Sequence, residues 1–385
     1  MAACGTNCAS RSKASTDPAR ARSGVYLKEV DTMRLFSCSN CANVVHFEND
    51  GCVTCGARLA FRPAALDMVA LDVSGTHALD HGEILPNPVH PCANAALGGC
   101  NWLVDDGDDS GFCVACRHNV TIPDLSLPEN LHNWQRIELA KRGLFYSLLR
   151  FRLPVTTRTA APESGLGFEF LADDTAVGGE GPVLTGHSEG LITLNIAEAS
   201  DAEREARRVA LGEPFRTLLG HFRHEVAHYY WNVLVRDRGA FDACRAVFGD
   251  ERQDYGEALK RHYAEGPPPG WENNFISAYA ASHPWEDFAE TFAHYFHIVD
   301  ALDTADAFGL RTNPDIEADM PEVELKRTFD SYTVERTEAL IRAWVPLTLA
   351  INSINRSMGQ PDLYPFVLSE PVFNKLRFIH ALIRS

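Results

Sequence analysis

Long apolar runs are absent from this chain. The longest candidate, ALIRAWVPLTLAINSI, is interrupted by Arg342, Pro346 and Asn352, so it reads as a buried segment and excludes a membrane span. Positive charge is scarce: 35 Lys and Arg stand against 52 Asp and Glu, a formal net charge of −17. With no basic face, a phosphate backbone is excluded as the main partner, and nucleic-acid binding is disfavoured. The first residues, MAACGTNCASRSKASTDPARARSG, lack the apolar centre of a secretory signal. Rich in Ser, Ala and Arg, residues 1–30 read as a flexible tail. A transit-type peptide is the alternative, and Asp17 counts against it. The expected compartment is the cytoplasm.

Cysteine is not scarce, and its spacing is ordered. Of eleven cysteines, eight fall into two groups of four, leaving Cys4, Cys8 and Cys244 without an assigned role. Grouped thiols in a reducing compartment indicate metal sites more than disulfides. Cys38-x2-Cys41 and Cys52-x2-Cys55, with ten residues between the pairs, have zinc-ribbon spacing. Each C-x-x-C turn aims two sulfurs at one point, and two turns close a tetrahedron with no open position. Redox dithiol chemistry is the alternative. His46 lies between the pairs and is not needed as a ligand. The second set is Cys92, Cys100, Cys113 and Cys116, whose first pair is separated by seven residues. His90 and His118 flank it and could replace a cysteine, although exposed loop histidines are the simpler reading. Both sites would be structural.

The organisation follows from this pattern. A zinc ribbon over 31–62 precedes a linking stretch and a second four-cysteine module, together 63–125. From 126 to 385 the chain reads as one large, mostly helical domain with a small sheet, so the fold class is α+β. Its first helix carries Leu131, Trp134, Ile137, Leu144 and Leu148 as an apolar stripe. Two strand-like runs follow, LGFEFLA and GLITLNIA, the second expected at a sheet edge where it could align an extended peptide. A helical stretch from about Ala202 leads to TLLGHFRHEVAHYYW. Near the C-terminus, Ser369 is a plausible N-cap and Pro371 suits a first turn.

The run His224-Glu225-x-x-His228 carries chemistry. Histidines at i and i+4 lie one turn apart and can grip one metal ion, while the glutamate can take a proton from water there. Leu218, Phe222, Val226, Tyr229 and Val233 form an apolar stripe, so this helix is buried. A third ligand is required. The extension that would place Gly and His three and six residues after His228 fails, because Trp231 and Leu234 stand there. A later helix, PWEDFAETFAHYF, supplies Glu286 and Glu290 one turn apart, with Phe288, Ala289, Phe292, Ala293 and Phe296 to pack it. Carboxylates on so apolar a helix need a partner. Glu286 is assigned as the ligand, and Glu290 as the acceptor for a ligand histidine's free N–H. His294 is an alternative ligand. His221 reads as a rim or hydrogen-bonding histidine, and His283 and His297 as capping or lining residues.

Taken together, CSNC…CVTC, CANAALGGCNWLV, LLGHFRHEVAHYYW and SHPWEDFAETFAHYFHIVD resemble bacterial zinc-binding metallopeptidases that carry an N-terminal zinc ribbon. The resemblance runs from about Leu35 to the C-terminus. It implies a gluzincin-type peptidase with one catalytic and two structural zinc ions, acting on a peptide or protein. A more distant similarity links EDFAETF, and Tyr279 seven residues upstream of Glu286, to the catalytic domain of anthrax lethal factor. It implies that Tyr279 stabilises an oxyanion; a core tyrosine is the alternative. Ala227 departs from the glycine many such motifs carry. The rival to an enzyme with Glu225 as general base is a non-catalytic zinc-ribbon adaptor that binds a protein partner.

Overall fold

Short antiparallel strands build residues 36–88. The computed structural model describes residues 35–173, 183, 185–204, 217–314, 324–325 and 329–385. The expected tail with Cys4 and Cys8 lies outside the described residues. So does most of the helical stretch expected from Ala202, apart from a turn at 201–204. Strand β1 (Phe36–Ser37) pairs antiparallel with β2 (Val44–Val45). A four-stranded antiparallel meander follows, formed by β3 (Arg58–Arg62), β4 (Asp67–Leu71), β5 (His77–Asp80) and β6 (Glu83–Pro88). The sequence reading expected a linking stretch across most of this region. It is a sheet instead, because β3 and β4 bury Leu59, Phe61, Met68 and Ala70 on the main core.

The second sheet is mixed. Its order is β7 (Asn119–Thr121), β8 (Gly167–Leu171), β10 (Leu191–Asn195), β9 (Gly186–Ser188). β7, β8 and β10 run parallel, and β9 pairs antiparallel with β10. The run GLITLNIA is therefore not the edge; β9 covers it and takes that position. A two-residue hairpin makes this possible. Glu189 and Gly190 both adopt positive φ, 43° and 82°, the primed-turn geometry whose twist matches the strands. A side chain at Gly190 would also meet the Gly165 carbonyl oxygen at 2.6 Å.

Seven helices of eight residues or more follow among the described residues. Helix α1 (Pro128–Arg150) starts with proline in its first turn and buries Trp134, Ile137, Leu144 and Leu148. Helix α2 (Leu218–Trp231) starts where the Thr217 hydroxyl accepts the Gly220 N–H at 2.9 Å. It passes into a π-helical turn, Asn232–Arg236. Helices α3 (Phe241–Phe248) and α4 (Tyr255–Glu265) precede α5 (Pro284–Ala307), which packs along α2. The interrupted apolar run is α6 (Thr337–Ser357). It buries Leu340, Trp344 and Leu347 but exposes Val345, Leu349 and Ile354, so it is a one-sided surface helix and not a wholly buried segment. No described helix is long and apolar enough to cross a membrane. In α7 (Glu370–Arg384), Ser369 sits at the N-cap and Pro371 in the first turn, but the serine hydroxyl makes no capping bond.

One core joins the cysteine-bearing part to the helices. Phe47 meets Phe61, Trp102 and Tyr146 edge-on, with ring centroids 5.0, 5.9 and 5.4 Å away. Gly99 lies against α1 so closely that a Cβ there would be 2.3 Å from the Trp134 ring. On the helical side, buried Asp300 of α5 receives Ser147 of α1 at 2.6 Å, and also Arg223 of α2 and Tyr332. Arg223 contacts His297 Nδ1 as well, at 2.5 Å. This polar knot fixes α2 against α5, and the metal-ligating candidates lie between the same two helices.

Candidate metal centre

Helical periodicity places His224 and His228 on one face of α2, their rings 5.0 Å apart and nearly perpendicular. Across from them, the first turns of α5 present Glu286 and Glu290. Glu286 Oε2 lies 2.9 Å from His224 Nε2 and 3.6 Å from His228 Nε2. The donor atoms of these three residues all fall within 4.8 Å of one another.

The second carboxylate does different work. Glu290 Oε1 accepts from His224 Nδ1 at 2.7 Å, and its Oε2 accepts from the Ser277 hydroxyl at 2.6 Å. With Nδ1–H committed to Glu290, a neutral His224 turns its Nε2 lone pair toward Glu286 Oε2. That oxygen is buried and accepts no hydrogen bond. Two acceptors then face each other at 2.9 Å, an arrangement that needs a proton or a metal ion between them. The donor set of two imidazoles and one carboxylate fits zinc with a position left open.

A proton on His224 can supply that charge, and the electrostatics favour it. Burial alone would lower the His224 pKa, but Glu286 and Glu290 outweigh it and hold the value well above the ordinary histidine range. Burial would raise Glu286, yet the charges of His228 and His224 hold it well below the ordinary range. Glu290 is likewise brought to about 2, burial opposing and His224 prevailing. One buried and one half-buried carboxylate charge thus demand positive charge at the centre between the helices.

Glu225 is buried at 7% exposure and makes no hydrogen bond or ion pair among the described residues. Tyr279 stands on a short 3-10 turn, its ring centroid 5.9 Å from that of His224. Burial, then the Glu286 charge, pushes its phenol far above the ordinary value, so it remains a hydrogen-bond donor. Three contacts were not legible in the sequence. The Tyr255 hydroxyl donates to Glu286 Oε1 at 2.7 Å, Ser277 holds Glu290, and Trp285 packs on the His228 ring at 4.0 Å. Trp285 adjoins Glu286 in the chain and could have been suspected; Tyr255 and Ser277 carry no motif.

The remaining histidines separate from the centre. His294 is buried with Nδ1 on the Tyr364 hydroxyl at 2.8 Å, outside the three-residue group. His221 pairs with buried Glu198 at 2.7 Å, and His283 caps α5 by accepting the Trp285 N–H. His118 is not an exposed loop residue: it is buried, its ring nitrogens on the Val114 and Val155 carbonyls at 2.8 and 3.1 Å. Its position under α1, against Phe145, accounts for the difference.

Both cysteine quartets assemble, each with sulfurs within 4.8 Å of one another. In the first, Cys38 lies 3.8 Å from Cys55 and Cys41 3.6 Å from Cys52. The first quartet is partly open, with Cys55 exposed. The second, where Cys100 and Cys113 are 3.7 Å apart, is wholly buried. His46 and His90 stay exposed and outside both groups.

Comparison with known proteins places these features. Residues 35–127 match a zinc-ribbon domain, and residues 130–382 match the family described as "Putative zinc-binding metallo-peptidase". Uncharacterized proteins of Mycobacterium tuberculosis and Mycobacterium bovis are 41% identical over 354 residues, covering 91% of this chain and 95% of each relative. No solved structure matches. By the extent of these matches, and in keeping with its thiol quartets and its two-histidine, one-carboxylate centre, the chain belongs to the zinc-binding metallopeptidase family, with a zinc-ribbon domain ahead of it.

Proposed function

We propose that the chain hydrolyses peptide bonds as a gluzincin-type metallopeptidase. His224, His228 and Glu286 would hold zinc, which when bound supplies a Lewis acid and lowers the pKa of water. Glu225, one residue on from His224 and free of other partners, takes the proton from the attacking water and passes it toward the leaving amine. Tyr279 donates its phenol hydrogen to the oxygen that gains charge as the carbonyl is attacked. Glu290 and Ser277 fix the His224 ring. Strand β9, whose His187 ring lies 5.9 Å from that of His228, offers its backbone edge to an extended peptide.

The observation that carries this reading is the convergence of His224, His228 and Glu286 with a buried, unbonded carboxylate oxygen. A purely structural metal would be closed by a fourth protein ligand, and the group has three. The test is unbiased cleavage-site profiling of wild type beside His224→Ala. Cleavage by wild type alone supports a peptidase. No cleavage by wild type, with a partner protein bound equally by both, favours an adaptor.

A further inference from the structure

Helix α4 reaches the centre from a part of the chain with no ligand motif. Asp254 caps it by accepting the Glu257 N–H at 3.0 Å, which sets Tyr255 at its first position. The Tyr255 ring meets His283 and Trp285 edge-on at 5.3 and 5.7 Å. These two rings flank the start of α5 and aim the phenol at Glu286, where it donates to Oε1 at 2.7 Å.

A carboxylate has two oxygens, and here they have separate occupations. Oε1 belongs to Tyr255, while Oε2 faces the two Nε2 atoms. We propose that Tyr255 is a positioning residue that commits Glu286 to the metal centre through Oε2 alone. The proposal rests on the metal-centre reading given above. Without the phenol the carboxylate plane is no longer held, so Oε2 grips a cation less firmly and Oε1 is free to turn inward toward it. That second contact would occupy the position water and substrate need. The phenol also disperses part of the carboxylate charge and holds its plane, as hydrogen-bonded partners of metal ligands do.

The test uses the full chain as wild type, Tyr255→Phe and Tyr263→Phe. Tyr263 lies on the same helix, is 61% exposed and serves as the control for losing a phenol. Zinc affinity of the third site is measured by chelator competition. Cobalt(II) is then loaded into that site and its visible d–d band recorded, since four-coordinate cobalt absorbs more strongly than five-coordinate. Neither readout depends on peptide hydrolysis. Tyr255→Phe should fold like wild type, bind the third zinc roughly 10–100-fold more weakly and show a weakened band. Tyr263→Phe should match wild type. Three zinc ions with unchanged affinity and band in Tyr255→Phe would overturn the role of Tyr255 alone, as would an equal loss in Tyr263→Phe. Wild type that holds zinc in the two cysteine quartets but none at His224, His228 and Glu286 would overturn the metal centre and this role together.

Discussion

His224 donates its Nδ1–H to Glu290 Oε1 over 2.7 Å, and this one bond decides which nitrogen is left for a metal. In the proposed centre it separates the two α5 carboxylates into a ligand and an orienting group. Glu286→Ala should therefore lose the third zinc. Glu290→Ala should keep it, with affinity weakened roughly 10–100-fold. Metal titrations of the two variants check this; the reverse pattern would exchange their roles.

Three zinc ions per chain are expected when the protein is purified without added metal, by elemental analysis. A value near one would remove at least one quartet. Cys38→Ser or Cys52→Ser should lower folded yield, because closed sites contribute binding energy to folding. Chelator should strip the first quartet faster than the second, since Cys55 is exposed while Cys92, Cys100, Cys113 and Cys116 are all buried.

Gly99→Ala tests the joint between the cysteine-bearing part and the helices. Its Cβ would meet the Trp134 ring at 2.3 Å, on a rigid side chain that is fully buried. Overpacking of this kind costs about 1–3 kcal/mol. The denaturation midpoint should fall accordingly.

His380 gives a pH dependence remote from the centre. Burial, followed by the Arg384 charge, lowers its pKa to about 4, and the Tyr295 hydroxyl and the Glu335 carbonyl hold the neutral ring at 3.0 Å each. The unfolded chain takes up this proton near the ordinary value of 6.5, and the folded chain only near 4. Stability should fall as pH drops from 6.5 through about 4. His380→Gln should flatten that part of the curve, measured by denaturant unfolding at each pH.

The parts of this molecule visible in its sequence are those written in short-range spacing. The C-x-x-C pairs, the His224–His228 interval and the α5 carboxylates each depend on one turn of local structure. β9 was hidden because Gly186-His187-Ser188 has no apolar alternation, so β10 looked like the edge. Tyr255 and Ser277 were hidden because their bonds to Glu286 and Glu290 span 31 and 13 residues and arise only when the helices dock. The strands beyond the ribbon, β4 to β6, are hidden in a stretch that reads as linker because its last strand, EILPNP, carries two prolines.

The central claim is that Glu225 moves a proton during hydrolysis and does not hold the metal. The most direct measurement compares Glu225→Gln with wild type for zinc content, folding and cleavage of a peptide found by profiling. Zinc content and folding should match wild type, because Glu225 lies outside the three-residue ligand group. Hydrolysis should fall at least 100-fold, on the order expected for loss of a general base, since glutamine cannot accept the proton. A Gln variant that cleaves the same peptide as fast as wild type would contradict the account.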